Sequence, residues 1–365
     1  MSAQSSLLLI GVGGAGASIA RGVDRAFGGG IRLLLIDTDA RTGDGPGEFA
    51  LIGADRLSGR GAGGDVVVAR LAAEESIDTL DRHIEGVRLA VVVTALGGGT
   101  GGGATLEIVR HLKDLGIPSI VFATTPFGFE GPDRQRIARG VQKLIEDNAG
   151  STFFLPLDRL IEDQDDMNAA LSRAIDTLAG GVTLFWRLVE KPGYIAMDVE
   201  RIRRLVGQGG RGRLGVAFAQ GNDRANKAVD ALVRSPLLAT GVSPVRATLC
   251  GVLAGEDLRL SELKTISDGL QNVFGGAGRA FDLATVNDEQ TFTGRLAVVT
   301  LLFEQGEDDA QTKTETGKPR KRAKTSPLTS GATGKGRFAN AEPTIWNGEN
   351  IDAPTFMRKG LNLEF

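Results

Sequence analysis

The sequence predicts an α/β fold: a doubly wound parallel sheet, a long central helix, a second α+β domain and a disordered C-terminal tail. Short apolar runs alternate with stretches of helical length from residue 7 to residue 155, the pattern of strands joined by crossover helices. Glycine-rich turns follow several of those runs, and 52 glycines in 365 residues is about twice the usual share. After residue 304 the aliphatic periodicity stops and Thr, Lys, Gly and Ser take over.

Residues 7–10 read as a buried strand ending in Gly11-Val12-Gly13-Gly14-Ala15-Gly16, with a helix over 15–27 and a second strand over 31–36 that ends at Asp37. This is a Rossmann-like βαβ opening with a glycine turn at the first helix N-terminus, which fits dinucleotide and mononucleotide binding equally. Residues 57–65 form a second glycine-rich loop, ahead of a helix over 66–75. A strand over 89–93 leads into the tract around which the chain is organised, Ala-Leu-Gly-Gly-Gly-Thr-Gly-Gly-Gly-Ala-Thr at 95–105. It is predicted as a loop before a helix over 105–115. Strand, glycine loop and helix start present bare backbone N–H groups to an anion, and the Thr100 hydroxyl adds a donor. A flexible linker is rarely framed this way. A strand over 117–123, a helix over 131–148 and a strand over 152–155 complete the first half. Loops that follow parallel strands gather at the carboxyl edge of the sheet, where ligands bind.

Residues 167–189 read as a long helical spine, softened at Gly180-Gly181 and ended by Lys191-Pro192-Gly193. Strands over 214–219, 247–253, 280–286 and 296–303, with helices over 223–233 and 261–273, predict an α+β unit with an antiparallel or mixed sheet. The expected domains are therefore 1–166, a central helix and turn over 167–193, a second domain over 194–304, a disordered linker over 305–340 and a terminal peptide over 341–365. The linker carries a basic cluster at 318–324, read as solvated tail. The peptide regains apolar anchors at Ile345, Trp346, Ile351, Phe356, Met357 and Leu361, and suits docking on a partner.

Composition narrows the function classes. A formal net charge of −3 argues against nucleic-acid binding by bulk charge. One cysteine, Cys250, excludes an intrachain disulfide, fits a reducing compartment and reads as a buried small apolar residue. His83 and His111 have no second ligand at metal spacing, which argues against a zinc site. With no run long enough to span a membrane and no charged n-region in residues 1–6, the expected location is the cytoplasm.

These segments, in this order and spacing, resemble the FtsZ family of bacterial tubulin homologues over nearly the whole chain. Gly11 to Gly16 is similar to that family's first phosphate loop, Asp37-Thr38-Asp39-Ala40 to its second, and Gly59-Arg60-Gly61-Ala62-Gly63-Gly64 to its γ-phosphate-sensing loop. Leu96 to Gly103 is close to the tubulin signature, with Gly102 where Thr or Ser is usual. Pro126-Phe127-Gly128-Phe129-Glu130-Gly131 with Arg134 matches the segment near ribose and phosphates. Asn222-Asp223-Arg224-Ala225 and Ser235-Pro236-Leu237-Leu238 resemble the second domain, and residues 351–359 resemble the peptide that docks on membrane anchors.

The resemblance implies a GTP-binding protein that polymerises head to tail in bacterial cell division, at the division site, with GTP hydrolysed at the subunit interface. Its cofactors are GTP/GDP and Mg²⁺, with no protein side chain assigned to the metal. Implied nucleotide contacts are Gly13, Gly14, Gly16, Ser18, Asp39, Ala62, Gly63, Gly98, Gly99, Thr100, Gly101, Glu130 and Arg134, with Asp176 as the acid accepting from guanine N–H groups. Asp198 and Glu200 are the implied catalytic acids. Ile351, Pro354, Phe356, Met357 and Arg358 are the implied docking residues, their partner a membrane-anchoring division protein.

Two departures qualify that inheritance. The family's completing loop carries an Asn and then two acids three residues apart; here Ala196 replaces the Asn, Asp198 keeps the first acid and Arg201 replaces the second. Glu200, two residues from Asp198, lies off the face that positions three apart share on a helix. Arg201 reverses the local field and is expected to pair with a neighbouring acid rather than act as an arginine finger. Hydrolysis is therefore expected to be slower than in the family, and the alternative reading is a structural filament protein that binds GTP but hardly hydrolyses it. Leu157 stands where an Asn helps read the base and Leu171 near a position often aromatic, while Asp176 keeps guanine as the expected base. A nicotinamide-dependent oxidoreductase, suggested by the Gly11 to Gly16 turn and Asp37, leaves the Gly97 to Gly103 tract, Glu130 and Arg134 unused.

Overall fold

A computed structural model of the chain describes residues 6–160, 166–235, 237–238, 244–275, 279–304, 345–346 and 349–350. The first elements are β1 (Leu7–Val12), α1 (Gly13–Phe27), β2 (Leu33–Asp37), β3 (Glu48–Leu51), α2 (Ala54–Leu57), α3 (Val66–Ser76) and α4 (Asp81–Ile84). Next come β4 (Leu89–Ala95), α5 (Gly99–Asp114), β5 (Ser119–Thr125), α6 (Pro132–Asn148), β6 (Ser151–Pro156), α7 (Met167–Glu190) and α8 (Val199–Gly207). They are followed by β7 (Arg211–Gln220), α9 (Arg224–Val233), β8 (Val245–Ala254), α10 (Leu260–Phe274), β9 (Ala280–Asn287), α11 (Glu289–Phe292) and β10 (Arg295–Glu304).

Residues Met1–Thr314 form one compact unit and Glu315–Phe365 another. In the first, ten strands make one sheet in the order β3-β2-β1-β4-β5-β6-β7-β10-β8-β9. The six strands from β3 to β6 are all parallel, and the strand order reverses between β1 and β4. That is the doubly wound arrangement the alternation predicts, and the reversal opens a crevice at the carboxyl ends of β1 and β4. The sheet continues through the short parallel pairing Thr152↔Arg211 and Phe153↔Gly212. Beyond it β10 is antiparallel to β7 and β8, and β9 is parallel to β8, so the second half is mixed. Strands β1 and β2 are buried along their whole length, as strands covered by helices on both faces must be.

Helix α7 is the predicted spine, and it is unbroken through Gly180-Gly181. A Cβ on Gly181 would stand 2.6 Å from Leu214 Cδ2, so this glycine is a packing notch rather than a break. Leu178, Val182, Phe185, Trp186 and Leu188 bury one face of α7 in the core. Near its C-terminus the buried Arg187 donates to the carbonyls of Ala26 (2.9 Å) and Phe27 (3.3 Å) and is ion-paired with Asp288. One guanidinium thus ties the end of α1 to α7 and to the start of α11, where the dipole of α1 favours a cation.

In the second unit β11 (Ile345–Trp346) pairs antiparallel with β12 (Glu349–Asn350). The linker over 305–340 and the docking residues Ile351, Pro354, Phe356, Met357 and Arg358 lie outside the described residues. Among the described residues no helix is long and apolar enough to cross a membrane.

Candidate functional site

Helices α1 and α5 start where β1 and β4 end, on either side of the reversal in strand order. Their N-cap residues, Val12 and Gly98, make no side-chain cap bond, and neither helix has an acidic residue in its first turn. Each helix therefore offers N–H groups that no side chain satisfies, at the positive end of its dipole. Both open into one cleft of ≈ 350 Å³, whose floor is Gly13, Gly14, Gly98, Gly99, Thr100 and Gly101. Backbone donors converging from two helices suit a polyphosphate, and the residues present fit that group.

The glycine tract is not the loop predicted over 95–105, because α5 begins within it at Gly99. Intrinsic propensity misleads here: glycine costs roughly 1 kcal/mol in a helix, and close packing overrides that. A Cβ on Gly101 would lie 2.3 Å from the Ala95 carbonyl oxygen, and one on Gly103 would lie 2.1 Å from that of Val66. Glycine lets α5 approach β4 on one side and α3 on the other. Gly99 likewise sits against the backbone of Gly64 and Asp65, which brings the second glycine loop to the cleft's edge. Gly13 adopts φ +74°, and its added Cβ would meet Gly101 N at 3.1 Å, so the two helix starts nearly touch.

Threonines stitch this floor together. The hydroxyls of Thr38 and Thr100 are hydrogen-bonded at 2.7 Å, and Thr94 donates to the carbonyls of Val12 (3.1 Å) and Gly101 (3.0 Å). On one wall Glu130 accepts from Phe127 N at 2.8 Å and is ion-paired with Arg134, and both side chains line the cleft.

Of the predicted contacts, Gly13, Gly14, Gly98, Gly99, Thr100, Gly101, Glu130 and Arg134 line the cleft. Gly16, Ser18, Asp39, Ala62, Gly63 and Asp176 are not among its lining residues. Gly16 is a packing glycine, where a Cβ would stand 2.5 Å from the Val93 oxygen. Ser18 donates back to Gly14 O at 3.0 Å within α1. Asp39 accepts from Arg41 N at 3.0 Å and pairs with its guanidinium, whose hydrogen bond holds this carboxyl down at about 2. Ala62 and Gly63 lie in the loop that bridges to Asp39 through Arg60. Asp37 is engaged by Thr38 N (2.7 Å) and the Thr42 hydroxyl (2.6 Å).

The far end of the cleft is formed in part by α7. Leu171, Ala174 and Ile175 of α7 line it, whereas Asp176 is exposed. Leu157 lies opposite and packs with Phe127, Ala170 and Ala174 in a small buried cluster. Ile175 was missed by sequence reasoning, although its spacing of four from Leu171 places both on one helix face.

The predicted catalytic acids lie elsewhere and are engaged. Asp198 caps α8, accepting from Glu200 N at 2.9 Å. Glu200 is ion-paired with Arg88 and with Arg203 (3.0 Å). Arg201 is paired with Asp282 of β9, and that hydrogen bond raises its pKa further above the ordinary arginine value. The preceding turn is pinned to β9 by two bonds of 2.9 Å, Ile195 N to the Thr285 hydroxyl and Thr285 N to Ile195 O. Tyr194 and Ile195 remain exposed beside it.

Comparison with known proteins adds a family. Residues 6–165 match "Tubulin/FtsZ family, GTPase domain" and residues 210–292 match "FtsZ family, C-terminal domain". The cell division protein FtsZ of Pseudomonas aeruginosa is 30% identical over 274 residues, 73% of this chain and 69% of that protein. That of Pseudomonas putida is 30% identical over 71% of this chain and 66% of its own length. That of Buchnera aphidicola is 28% identical over 87% and 85%. Among solved structures, an empty FtsZ dimer from M. jannaschii superposes with a TM-score of 0.76 at 23% identity, covering 90% of this chain and 96% of its own. A GTPγS-bound CetZ2 protofilament from Haloferax volcanii superposes with a TM-score of 0.70 at 23% identity, covering 85% and 99%.

Proposed function

The chain belongs to the tubulin/FtsZ family of GTPases, and from that premise we propose that it binds GTP, assembles head to tail into filaments at the division site in the cytoplasm, and turns the nucleotide over slowly. Residues 1–166 act as the nucleotide-binding domain and 194–304 as the second domain. The observation that carries the reading is the pair of helix N-termini, α1 and α5, open without side-chain caps into one cleft.

In this reading the N–H groups at Gly13, Gly14 and Gly99 to Gly101 hold phosphate oxygens, Thr100 donates one bond more, and Arg134 offers a cation at the rim. Mg²⁺ would neutralise part of the phosphate charge when bound. The CetZ2 relative was solved as a GTPγS-bound protofilament, which supports assembly around a bound nucleotide. A head-to-tail contact is heterologous, so it grows an open filament.

Completion of the site by the next subunit falls to the turn before α8. There Asp198 is exposed, with one carboxylate oxygen accepting the cap bond from Glu200 N, but its partner acid is absent and Arg201 is committed to Asp282. Glu200 is held by two arginines and does not replace it. This favours a filament that binds GTP for assembly and hydrolyses it slowly. Residues 351–358 supply the docking peptide for a membrane-anchoring partner. Electron microscopy of the purified protein with and without GTP, with phosphate release measured on the same sample, tests the proposal. Filaments that need nucleotide and release phosphate slowly are expected, and no filaments under any nucleotide would overturn it.

A further inference from the structure

Thr38 and Thr100 meet beneath the floor of the cleft, their hydroxyl oxygens 2.7 Å apart. A hydroxyl carries one hydrogen, so only one of the two residues donates across this contact. Their surroundings decide which. Thr38, the residue after β2, is fully buried, and among the described residues its hydroxyl has Thr100 as its partner. Its hydrogen has no second acceptor there, and a buried donor left unsatisfied is costly. Thr100 is half-buried and lines the cleft, where a ligand can take its hydrogen.

The neighbouring threonines sharpen the contrast. Thr42 donates to Asp37 Oδ2 at 2.6 Å, Thr94 to the carbonyl of Val12 or Gly101, and Thr105 to Gly101 O at 2.7 Å. Each of those hydrogens is held inside the protein. Among the described residues the Thr100 hydroxyl has no carbonyl or carboxylate acceptor of this kind. Thr38 is fixed through its backbone as well, its N–H donating to Asp37 Oδ1 (2.7 Å) and its carbonyl accepting from Gly61 N (3.0 Å).

We infer that Thr38 is a positioning residue for the phosphate floor: its hydroxyl donates to Thr100 and so turns the Thr100 hydrogen into the cleft, toward a phosphate oxygen. The inference rests on the nucleotide reading proposed above and deepens it. A hydroxyl already aimed at the incoming charge needs no rearrangement on binding. A hydroxyl that accepts one hydrogen bond is also polarised into a stronger donor for the next. Thr38 acts only through Thr100, since it does not itself line the cleft.

The test is a double-mutant cycle on the full chain, read as equilibrium binding of ribose-labelled GTP with Mg²⁺ to dilute protein. Thr38→Val keeps the side-chain shape and the backbone bonds to Asp37 and Gly61, and removes the hydroxyl. It is expected to weaken binding about three- to tenfold, the worth of one neutral hydrogen bond. Thr100→Val removes the donor itself and should weaken binding about 10- to 100-fold, as for a bond to a charged group. In the Thr100→Val background, adding Thr38→Val should shift the affinity by less than about twofold, because its route to the ligand is gone. Thr38→Ser keeps the hydroxyl and should restore binding to within about twofold of wild type. Unweakened binding by Thr38→Val, or a loss as large in Thr38→Ser, would overturn the inference. So would an equal loss from Thr38→Val in both backgrounds, which would mean that Thr38 acts through the loop at 59–64 instead. Absence of GTP binding by the wild-type chain would overturn the nucleotide reading and this inference together. Should Thr38→Val not fold, Thr38→Ala removes the same hydroxyl and is read in the same cycle.

Discussion

Arg201 of α8 and Asp282 of β9 form an ion pair at 2.5 Å, and it joins the turn expected to complete the catalytic site to the sheet edge behind it. Asp282 is nearly buried and its second oxygen has no hydrogen-bond partner among the described residues. Arg201 is therefore the group that makes this buried carboxylate tolerable. Arg201→Ala leaves the carboxylate without a cation. Because the arginine is 46% exposed, water fills part of the gap and the expected loss is about 1 kcal/mol, the low end for an unsatisfied buried group. A urea midpoint measures it, and an unchanged midpoint contradicts the assignment.

The same pair bears on catalysis. Arg201→Asp alone would set two carboxylates against each other, so it tests nothing cleanly. Arg201→Asp combined with Asp282→Asn restores an acid three residues after Asp198 and removes the repulsion. A positioned acid or base contributes about 10²- to 10⁴-fold, so phosphate release from assembled protein should rise by at least about tenfold in the double variant. A wild-type rate already equal to that of typical relatives would refute the slow-turnover reading.

Arg187 presents a more deeply buried case. It is 7% and Asp288 14% exposed, and the guanidinium also satisfies two carbonyls at the end of α1. Removing one partner of a buried pair strands the other charge, so Arg187→Ala is expected to cost about 3–5 kcal/mol. Arg187→Lys keeps the charge but loses the planar fork, and falls between the two. Thermal unfolding that ranks wild type, Lys and Ala in that order supports the clamp.

Cys250 gives a pH-dependent effect of known sign. Burial pushes its thiol up to about 12 from the ordinary 9.0, and the side chain of Thr300, opposite it on β10, offsets only part of the rise. Between those values the unfolded chain has lost the proton and the folded chain has kept it. The unfolded state binds fewer protons there, so the cysteine's contribution falls as pH rises from about 9 toward 12. The stability difference between wild type and Cys250→Ala should shrink over that window and stay constant below it. A thiol reagent at pH 8 should react with the cysteine only after denaturant is added, and fast labelling of the native protein would contradict the burial.

The strands and crossover helices were legible because a buried parallel strand is an unbroken apolar run and its helix is amphipathic. Residues 89–93, for instance, extend by only two residues in β4. The glycine tract was misread for a physical reason. Low helix propensity is visible in sequence, but the close approach of Val66 and Ala95 that demands glycine is a tertiary fact. The phosphate end of the cleft was readable because its donors are backbone groups fixed by topology. The far end was less legible, since Ile175 lines it only through the way α7 packs on the first helix and the sheet. The commitment of Arg201 was expected in kind, but β9 as the source of its partner depends on a contact between residues 81 positions apart.

The contrast between Gly102 and Gly103 separates helix packing from loop flexibility. Both lie in the first turns of α5, so alanine should raise intrinsic helix stability at either position by up to about 1 kcal/mol. Their surroundings differ. A Cβ on Gly102 would meet the side chains of Val66 (3.3 Å) and Val141 (3.4 Å), and Val66 is only partly buried at the start of α3, where it has room to turn. A Cβ on Gly103 would meet backbone instead, Val66 O at 2.1 Å and Arg70 N at 2.7 Å, and neither moves without shifting the whole of α3. Gly102→Ala is expected within about 1 kcal/mol of wild type. Gly103→Ala should cost about 3 kcal/mol, the upper end for overpacking, and should weaken nucleotide binding as well, since α3 carries the Gly64 and Asp65 backbone that abuts Gly99. Equal, small effects at both positions would mean that the glycines serve flexibility rather than close approach.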